Sequence, residues 1–299
     1  MIITLIVGAL TIVSLAYAAM LLRAAHDSGQ MGIRGEGVIV GAVTNFFDTL
    51  GIGSFAPTIA WFRLRKLVPD RLIPMTMLAG FILPCLLQGL VFMILLGVRV
   101  DPLLILACVM AMIVGGYFSV PLAAKAPIHL IQGIVGSALL LAAFFYSLSN
   151  LGLMPGGGVA TSLPPAFFAI AVALHLLLGV LLAFGVGNYA PTLAVLSSLG
   201  LDPRLAFPIM ATAAGMAGAT AAARSLHLVK LDLRMALGLA IGAIPAVLIA
   251  AFIVKEMPLT MLRWLVVVVV TYAGATLLAT AARRGTLVPD DAAQTAITD

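Results

Sequence analysis

Long apolar runs with almost no charge are the feature of this sequence that most constrains its fold. Seven runs of about 20 residues or more carry at most one Lys, Arg, Asp or Glu each: 2–22, 72–98, 103–122, 127–148, 205–226, 233–253 and 259–281. A helix of about 20 apolar residues crosses the roughly 30 Å hydrocarbon core of a bilayer. The runs therefore predict seven full transmembrane spans.

Composition excludes a water-soluble domain. Hydrophobic residues make up 63% of the chain and charged residues only 9%, and the mean hydropathy is +1.21. A soluble domain has about 25% charged residues. The net charge of +5 fits anchoring at the inner leaflet better than nucleic-acid binding. We therefore expect a lipid bilayer and no nucleic acid as partner. Cys85 and Cys108 lie in apolar runs and are interpreted as core residues, so we expect no metal and no other cofactor.

Two further apolar stretches are interrupted by glycines. Residues 37–62 contain Gly51-Ile52-Gly53, and residues 166–198 contain Gly185-Val186-Gly187. Glycine pairs interrupt helices, and irregular backbone at membrane depth is tolerated only beside protein or a water-filled cavity. We expect two broken helices around such a cavity, although a Gly-x-Gly pair that merely permits close packing is the alternative.

The two broken stretches are copies of one another. A shift of 134 residues places Gly51, Gly53 and the run Ala56-Pro57-Thr58 on Gly185, Gly187 and Ala190-Pro191-Thr192. A shift of 131 then places Asp101 on Asp232. The predicted organisation is an N-terminal span and loop (1–36), a first repeat (37–148), a linker (149–165), a second repeat (166–282) and a polar tail (283–299). Each repeat holds one broken stretch followed by three spans.

The distribution of Lys and Arg predicts the path of the broken stretches. Two full crossings would divide the cations equally between the two faces, whereas two re-entrant hairpins leave only four on one face, namely Arg99, Arg204, Lys255 and Arg263. Cytoplasmic loops collect Lys and Arg, so the pattern favours two hairpins. The predicted fold is an all-α polytopic membrane protein with about seven full spans plus two glycine-broken re-entrant hairpins in an inverted repeat.

The hairpin tips are the candidate binding site. A short helix begins after each break, with Ser54 or Asn188 at the N-cap position and Pro57 or Pro191 in the first turn. Free N–H groups and the partial positive charge of a helix N-terminus favour an anion. The expected substrate-binding residues are Gly51, Gly53, Ser54, Pro57, Thr58, Gly185, Gly187, Asn188, Pro191 and Thr192.

Few other polar residues lie within the predicted spans and hairpins. Asp48 precedes the first break and is predicted either to carry a proton or to hydrogen-bond a polar neighbour. To act in proton coupling, the Asp48 carboxyl group must be protonated, and therefore neutral, when an anion is bound nearby. His175, in the first arm of the second hairpin, is a second candidate for proton coupling, with packing as its alternative. Gln88 and Gln132 are expected to bridge helices.

The motif Gly51-Ile52-Gly53-Ser54, followed by an apolar run and repeated at Gly185-Val186-Gly187-Asn188, resembles the TauE/SafE family of sulfite and organosulfonate exporters (the TSUP family). The resemblance covers most of the chain. Ser54 and Phe55 depart from the family's usual Gly-Ile/Val-Gly-Gly-Gly, and Asp48 stands where the family more often has a small or apolar residue. The resemblance implies a multi-pass carrier in the bacterial inner membrane that exports small, chiefly sulfur-containing anions.

Three classes of function stay open at this point. A secondary transporter that exports small organic anions by alternating access agrees with the duplicated halves, and an anion channel is the alternative. An intramembrane enzyme is disfavoured because no Gly-x-Ser-x-Gly, paired aspartates or His-Glu-x-x-His occurs, so we expect no enzyme. The expected partners are a small anion, lipid and a further copy of the chain.

Overall fold

The computed structural model describes residues 2–69, 72–96, 100–123, 128–153, 158–181, 187–225 and 231–285. Within these ranges the protein is helical without β-strands, apart from one isolated bridge between Ala160 and Leu201. The all-α prediction is therefore confirmed. The helices are α1 (Ile2–Asp27), α2 (Gly35–Thr49), α3 (Phe55–Arg65), α4 (Ile73–Leu96), α5 (Pro102–Ala123), α6 (Ile128–Asn150), α7 (Pro165–Leu181), α8 (Tyr189–Ser198), α9 (Pro203–Ser225), α10 (Leu233–Glu256) and α11 (Leu259–Gly285).

The helices occur in the same order as the predicted spans and broken stretches. One helix covers each of the seven predicted spans, and each glycine-broken stretch holds two helices, α2 with α3 and α7 with α8. The helices at the ends of the predicted repeats exceed the repeat bounds by one to three residues: α2 begins at Gly35, α6 ends at Asn150, α7 begins at Pro165 and α11 ends at Gly285. The two helices that flank the linker therefore extend into it.

Four of the described helices are long and apolar enough to cross a membrane: Ile3–Asp27, Met75–Ile94, Leu233–Glu256 and Leu259–Arg283. Shorter apolar helical segments cover Pro102–Phe118, Gln132–Leu148 and Pro165–Leu181. Length and composition thus agree with a membrane protein.

The surface has the opposite character to that of a soluble protein, and the apolar interior also holds polar side chains. Large apolar side chains face outward, including Leu5, Ile12, Leu15 and Ile94, each at least two-thirds exposed. Polar side chains are buried instead, among them Thr44, Asn45, Asp48, Gln88, Asn188 and Thr192. An apolar exterior is stable in hydrocarbon, and polar groups are then satisfied inside the helix bundle.

Helices of the two halves pack mainly against each other. The largest interfaces join α2 to α10, α7 to α5, α4 to α9 and α6 to α11. Two further interfaces join α10 to α4 and α5 to α9. Helix α1 lies to one side, against α4 and α9. The core is therefore built between the halves rather than within each half.

Glycines allow the broken stretches to pack closely on their partners. A Cβ at Gly41 of α2 would collide with the backbone of Leu239 in α10, and a Cβ at Gly115 of α5 would collide with the Leu176 carbonyl of α7. Small residues permit this close approach of helix backbones in membranes. The first helix of each broken stretch, α2 or α7, thus packs closely on a helix of the other half.

The two ends of the first broken stretch meet. Arg65 Nε, at the end of α3, donates to Glu36 Oε1, at the start of α2, at 2.9 Å. Arg34 Nη1 donates to the Leu67 carbonyl at 2.8 Å, and Arg34 Nη2 lies 3.2 Å from Asp232 Oδ2 at the N-cap of α10. The start of α2 and the end of α3 therefore lie close together, beside the start of α10.

Candidate functional site

The first break requires glycine at two positions. After α2 ends at Thr49, Gly51 and Gly53 adopt φ values of +97° and +90°. Only glycine adopts such values without strain. A Cβ at Gly51 would lie 2.7 Å from Leu193 Cδ1 of α8, whereas a Cβ at Gly53 would meet no atom within 4 Å. The first break therefore contacts the short helix of the second half and opens on space at Gly53.

The second break is described only in part. Gly185 lies outside the described residues. Gly187 is exposed, and a Cβ there would meet no atom within 4 Å. Both glycines that directly precede an N-cap residue, Gly53 and Gly187, thus face free space.

Each short helix begins at the predicted position, but its N-cap side chain does not bond the helix. Ser54 and Asn188 occupy the N-cap positions of α3 and α8, and Pro57 and Pro191 lie in the first turns. Neither N-cap side chain bonds a helix amide. The predicted N-cap positions are therefore observed, although neither side chain satisfies an amide of its own helix. Asn188 Nδ2 instead donates to the Met210 carbonyl of α9 at 2.9 Å, which ties the second tip to the bundle.

The two threonines that follow these prolines differ. The Thr58 hydroxyl donates to the Ser54 carbonyl at 2.7 Å, one turn back along α3. The Thr192 hydroxyl is fully buried and has no hydrogen-bond partner among the described residues. Buried hydroxyl groups normally have a partner, so the Thr192 hydroxyl is an unsatisfied polar group in the first turn of α8.

The Asp48 carboxylate occupies the first break. Its Oδ1 accepts the Ser54 amide at 2.8 Å, and its Oδ2 accepts Gln88 Nε2 of α4 at 3.0 Å. The side chain is 5% exposed. Of the two predicted roles for Asp48, hydrogen bonding to polar neighbours is observed. The break therefore already binds a carboxylate, which belongs to the protein itself.

A hydrogen-bonded chain continues from Asp48 to the second half. Gln88 Oε1 accepts the Tyr189 hydroxyl of α8 at 2.6 Å, and the same hydroxyl lies 3.7 Å from Cys85 Sγ. Gln88 therefore bridges helices, as expected. We name this chain of side chains the Asp48–Gln88–Tyr189 bridge, and it links the first break to the first residue of α8.

His175 lies outside this bridge. Its Nδ1 is 2.8 Å from the Ala171 carbonyl on its own helix, α7. Its Nε2 is buried without a hydrogen-bond partner among the described residues. The structure thus places Asp48 beside the first break and His175 on α7, outside the bridge.

Sequence reasoning missed Tyr189 and interpreted Cys85 as plain core. A signal for Tyr189 exists, because the shift of 134 residues aligns Tyr189 with Phe55. The same shift aligns Asp48 with Leu182. The two repeats thus differ near the tips by the Tyr189 hydroxyl and the Asp48 carboxyl group, which have no counterpart in the other repeat.

Two open pockets among the described residues do not include the tips. One lies beside Arg63 and Lys66 at the end of α3, and the other is an apolar groove between α5 and α7. No set of three or more His, Cys, Asp or Glu residues that could hold a metal ion occurs within the described ranges.

Comparison with known proteins finds no match: no protein-family profile, no curated protein and no solved structure is significantly similar to the chain.

Proposed function

We propose that this protein is a secondary transporter of small anions, with sulfur-containing or other organic anions as its substrates. The observation that carries the proposal is the meeting of the two broken helices. Gly51 packs on Leu193, and the Asp48–Gln88–Tyr189 bridge joins the same two regions. Helix breaks that meet inside a bundle are how many transporters form a substrate site.

The helix pairing supports an inverted repeat. If each helix of α2–α6 is exchanged with its counterpart in α7–α11, the α2–α10 interface becomes α7–α5 and the α4–α10 interface becomes α9–α5, both of which are observed. The α4–α9 and α6–α11 interfaces are unchanged by this exchange. Asp101 and Asp232 each accept an amide at the start of the helix that follows them, α5 and α10. Three full spans per half, an odd number, would place the halves in opposite orientations and permit alternating access.

The meeting ends of the first broken stretch support a re-entrant path. The Arg65–Glu36 and Arg34–Leu67 contacts place the entry and the exit of α2 and α3 together. With both broken stretches re-entrant, most Lys and Arg residues share one face, which we assign to the cytoplasm of a bacterial inner membrane. A homo-oligomer is compatible with this arrangement.

The substrate anion binds at the tips in this proposal, chiefly at the second one. The Ser54 amide at the first tip already donates to Asp48. Gly187 opens on space before α8, and the Thr192 hydroxyl one turn into α8 lacks a partner among the described residues. Helix N-terminal amides and a hydroxyl donor suit an oxyanion. Asp48 is the proposed proton-coupling residue, and His175 is the second candidate.

The test is anion flux into liposomes that contain the purified protein. Sulfite, sulfoacetate, taurine, sulfate, thiosulfate and a carboxylate are offered in turn, each with and without a pH gradient. Flux that saturates with concentration supports a carrier, and flux that rises linearly favours the anion channel. Absence of flux for every anion in folded protein contradicts the proposal.

Gly187→Ala tests the site within the same assay. The added methyl group meets no protein atom within 4 Å, so the fold is preserved, but the methyl group fills space that the anion needs. We expect at least a tenfold loss of apparent affinity, about 1.4 kcal/mol. Gly8→Ala in α1 is the matched control, since its Cβ also meets nothing within 4 Å. Equal flux in both variants would remove the second tip from the site.

A further inference from the structure

In the observed state of the Asp48–Gln88–Tyr189 bridge, both Asp48 oxygens are acceptors. Oδ1 accepts from the Ser54 amide and Oδ2 from Gln88 Nε2. Gln88 Oε1 accepts in turn from the Tyr189 hydroxyl. An ionised carboxylate only accepts hydrogen bonds. With Gln88 Nε2 facing Asp48 Oδ2, the bridge therefore suits the ionised form of Asp48.

A proton on Asp48 Oδ2 is incompatible with this direction. The protonated oxygen becomes a donor and faces Gln88 Nε2, which is also a donor. A half-turn of the Gln88 amide resolves the conflict, because Oε1 then accepts from Asp48 and Nε2 donates to the Tyr189 oxygen. The Tyr189 hydrogen consequently needs a new acceptor. Cys85 Sγ, 3.7 Å from that oxygen, provides it.

We propose that Asp48, Gln88, Tyr189 and Cys85 form a two-state hydrogen-bond switch, in which protonation of Asp48 reverses the bridge and changes the contact made by α8. The carboxylate takes its proton from solution, no proton passes from residue to residue, and the Tyr189 hydrogen only changes direction. The inference rests on the proposed function for its purpose, since protonation of Asp48 changes a contact at the start of α8, where the anion is proposed to bind.

The reversal also moves atoms. The Gln88–Tyr189 contact is an O–H···O bond of 2.6 Å in the ionised state. An N–H···O bond is longer, typically about 2.9 Å, so the reversed contact lengthens by about 0.3 Å. This displacement acts between α4 and α8, where Asn188 and Gly187 directly precede Tyr189. Protonation at the first tip is thus transmitted to the second tip.

Few other ionisable groups compete with this effect. Among the described residues, the ionisable groups that face Asp48 are Cys85 of α4 and Tyr189 of α8, and neither helix carries a charged residue. The charged residues of the helices packed around Asp48 lie towards the helix ends: Glu36 on α2, Arg63 and Arg65 on α3, and Arg234, Lys255 and Glu256 on α10. The bridge therefore responds chiefly to the proton on Asp48.

The experiment is infrared difference spectroscopy of the purified protein between alkaline and acidic pH. Acidification should produce the carbonyl band of a protonated carboxyl group that Asp48→Asn lacks, together with a shifted S–H band that Cys85→Ala lacks. Cys85→Ala removes an acceptor used only in the protonated state, so the midpoint of the carboxyl band should move to lower pH by about half a unit, the effect of one weak hydrogen bond. Cys85→Ser should restore the midpoint.

Cys108→Ala is the matched control, because Cys108 is a buried thiol on α5 outside the bridge. Thermal unfolding of every variant verifies that it is folded. An unchanged midpoint in Cys85→Ala, or equal shifts in both alanine variants, would overturn the switch. Transport is measured separately in liposomes. A spectral switch without flux of any anion would refute the transporter alone, and flux without the spectral change would refute the switch alone.

Discussion

Replacing Tyr189 by phenylalanine removes one hydroxyl group and leaves the ring in place. The hydroxyl donates to Gln88 Oε1 at 2.6 Å, and the Tyr189 and Gln88 side chains are 6% and 0% exposed. Without it, Gln88 Oε1 remains buried with no donor from α8. A buried acceptor that loses its donor costs about 1 to 3 kcal/mol of unfolding free energy. We therefore expect Tyr189→Phe to destabilise the protein by that amount.

Tyr17 provides the matched control. Its hydroxyl donates to the Ala79 carbonyl at 2.9 Å, and its side chain is 2% exposed. Ala79 lies inside α4, where its carbonyl also accepts the helix amide four residues later. Tyr17→Phe therefore removes one bond without leaving an orphaned acceptor, at a cost of about 0.5 to 1.5 kcal/mol. The difference between the variants should be about 1 kcal/mol.

The assay is the free energy of unfolding in detergent micelles, measured by denaturant titration for the wild type and both variants. Gln88→Leu, alone and combined with Tyr189→Phe, completes a double-mutant cycle that isolates the Gln88–Tyr189 interaction. If Tyr189→Phe costs no more than Tyr17→Phe and the cycle shows no coupling energy, the hydroxyl does not donate to Gln88, and the bridge between the halves does not exist.

Three further outcomes are expected. Cysteines placed singly at Arg34 and Arg65 should label from the same face of the membrane, and labelling from opposite faces would make the first broken stretch a full crossing. Gly41→Ala should destabilise the fold by about 1 to 3 kcal/mol, because the added Cβ collides with the Leu239 backbone. Gly35→Ala is the control and should not destabilise the fold, because its Cβ would meet no atom within 4 Å. Equal melting temperatures of the two variants would contradict the tight α2–α10 contact. The hydrogen bond from Arg65 lowers the pKa of Glu36, a residue that lies outside every candidate span. The Arg65–Glu36 pair therefore stabilises the protein at pH values above the ordinary Glu pKa. This stabilisation is lost as the pH falls through the lowered pKa of Glu36. Unfolding at several pH values should show a loss below about pH 4 that Glu36→Gln lacks, and an identical loss in this variant would exclude the pair as its cause.

Helix order and the positions of the breaks could be predicted from sequence because they depend on local signals. Apolar length defines a helix in lipid, and the glycines at Gly51 and Gly53 mark the first break. The internal shift of 134 residues also identified α3 and α8 as equivalent short helices. These features need no knowledge of which helices are neighbours in space.

The contacts inside the site could not be predicted in the same way. Helices that are apolar on every side carry no periodic signal for their inner face, so nothing in the sequence directs Gln88 towards both Asp48 and Tyr189. The Asn188 side chain bonds the distant Met210 carbonyl rather than its own helix. Such choices depend on partners from elsewhere in the chain, which only the assembled bundle brings together.

The packing of α2 and α7 on the opposite half has a consequence for biosynthesis. Helix α2 ends at Thr49, and its main partner, α10, begins at Leu233. Those two points are separated by about 180 residues of chain, so at about 5 to 20 residues per second the ribosome needs roughly 10 to 40 s to supply the partner. During that interval the glycine surface of α2, with Gly37 and Gly41, has no α10 to pack on. A nascent chain that stops before residue 233 therefore leaves this surface open to other membrane helices. Correct assembly then depends on which helix contacts the glycine surface of α2 before α10 is synthesised.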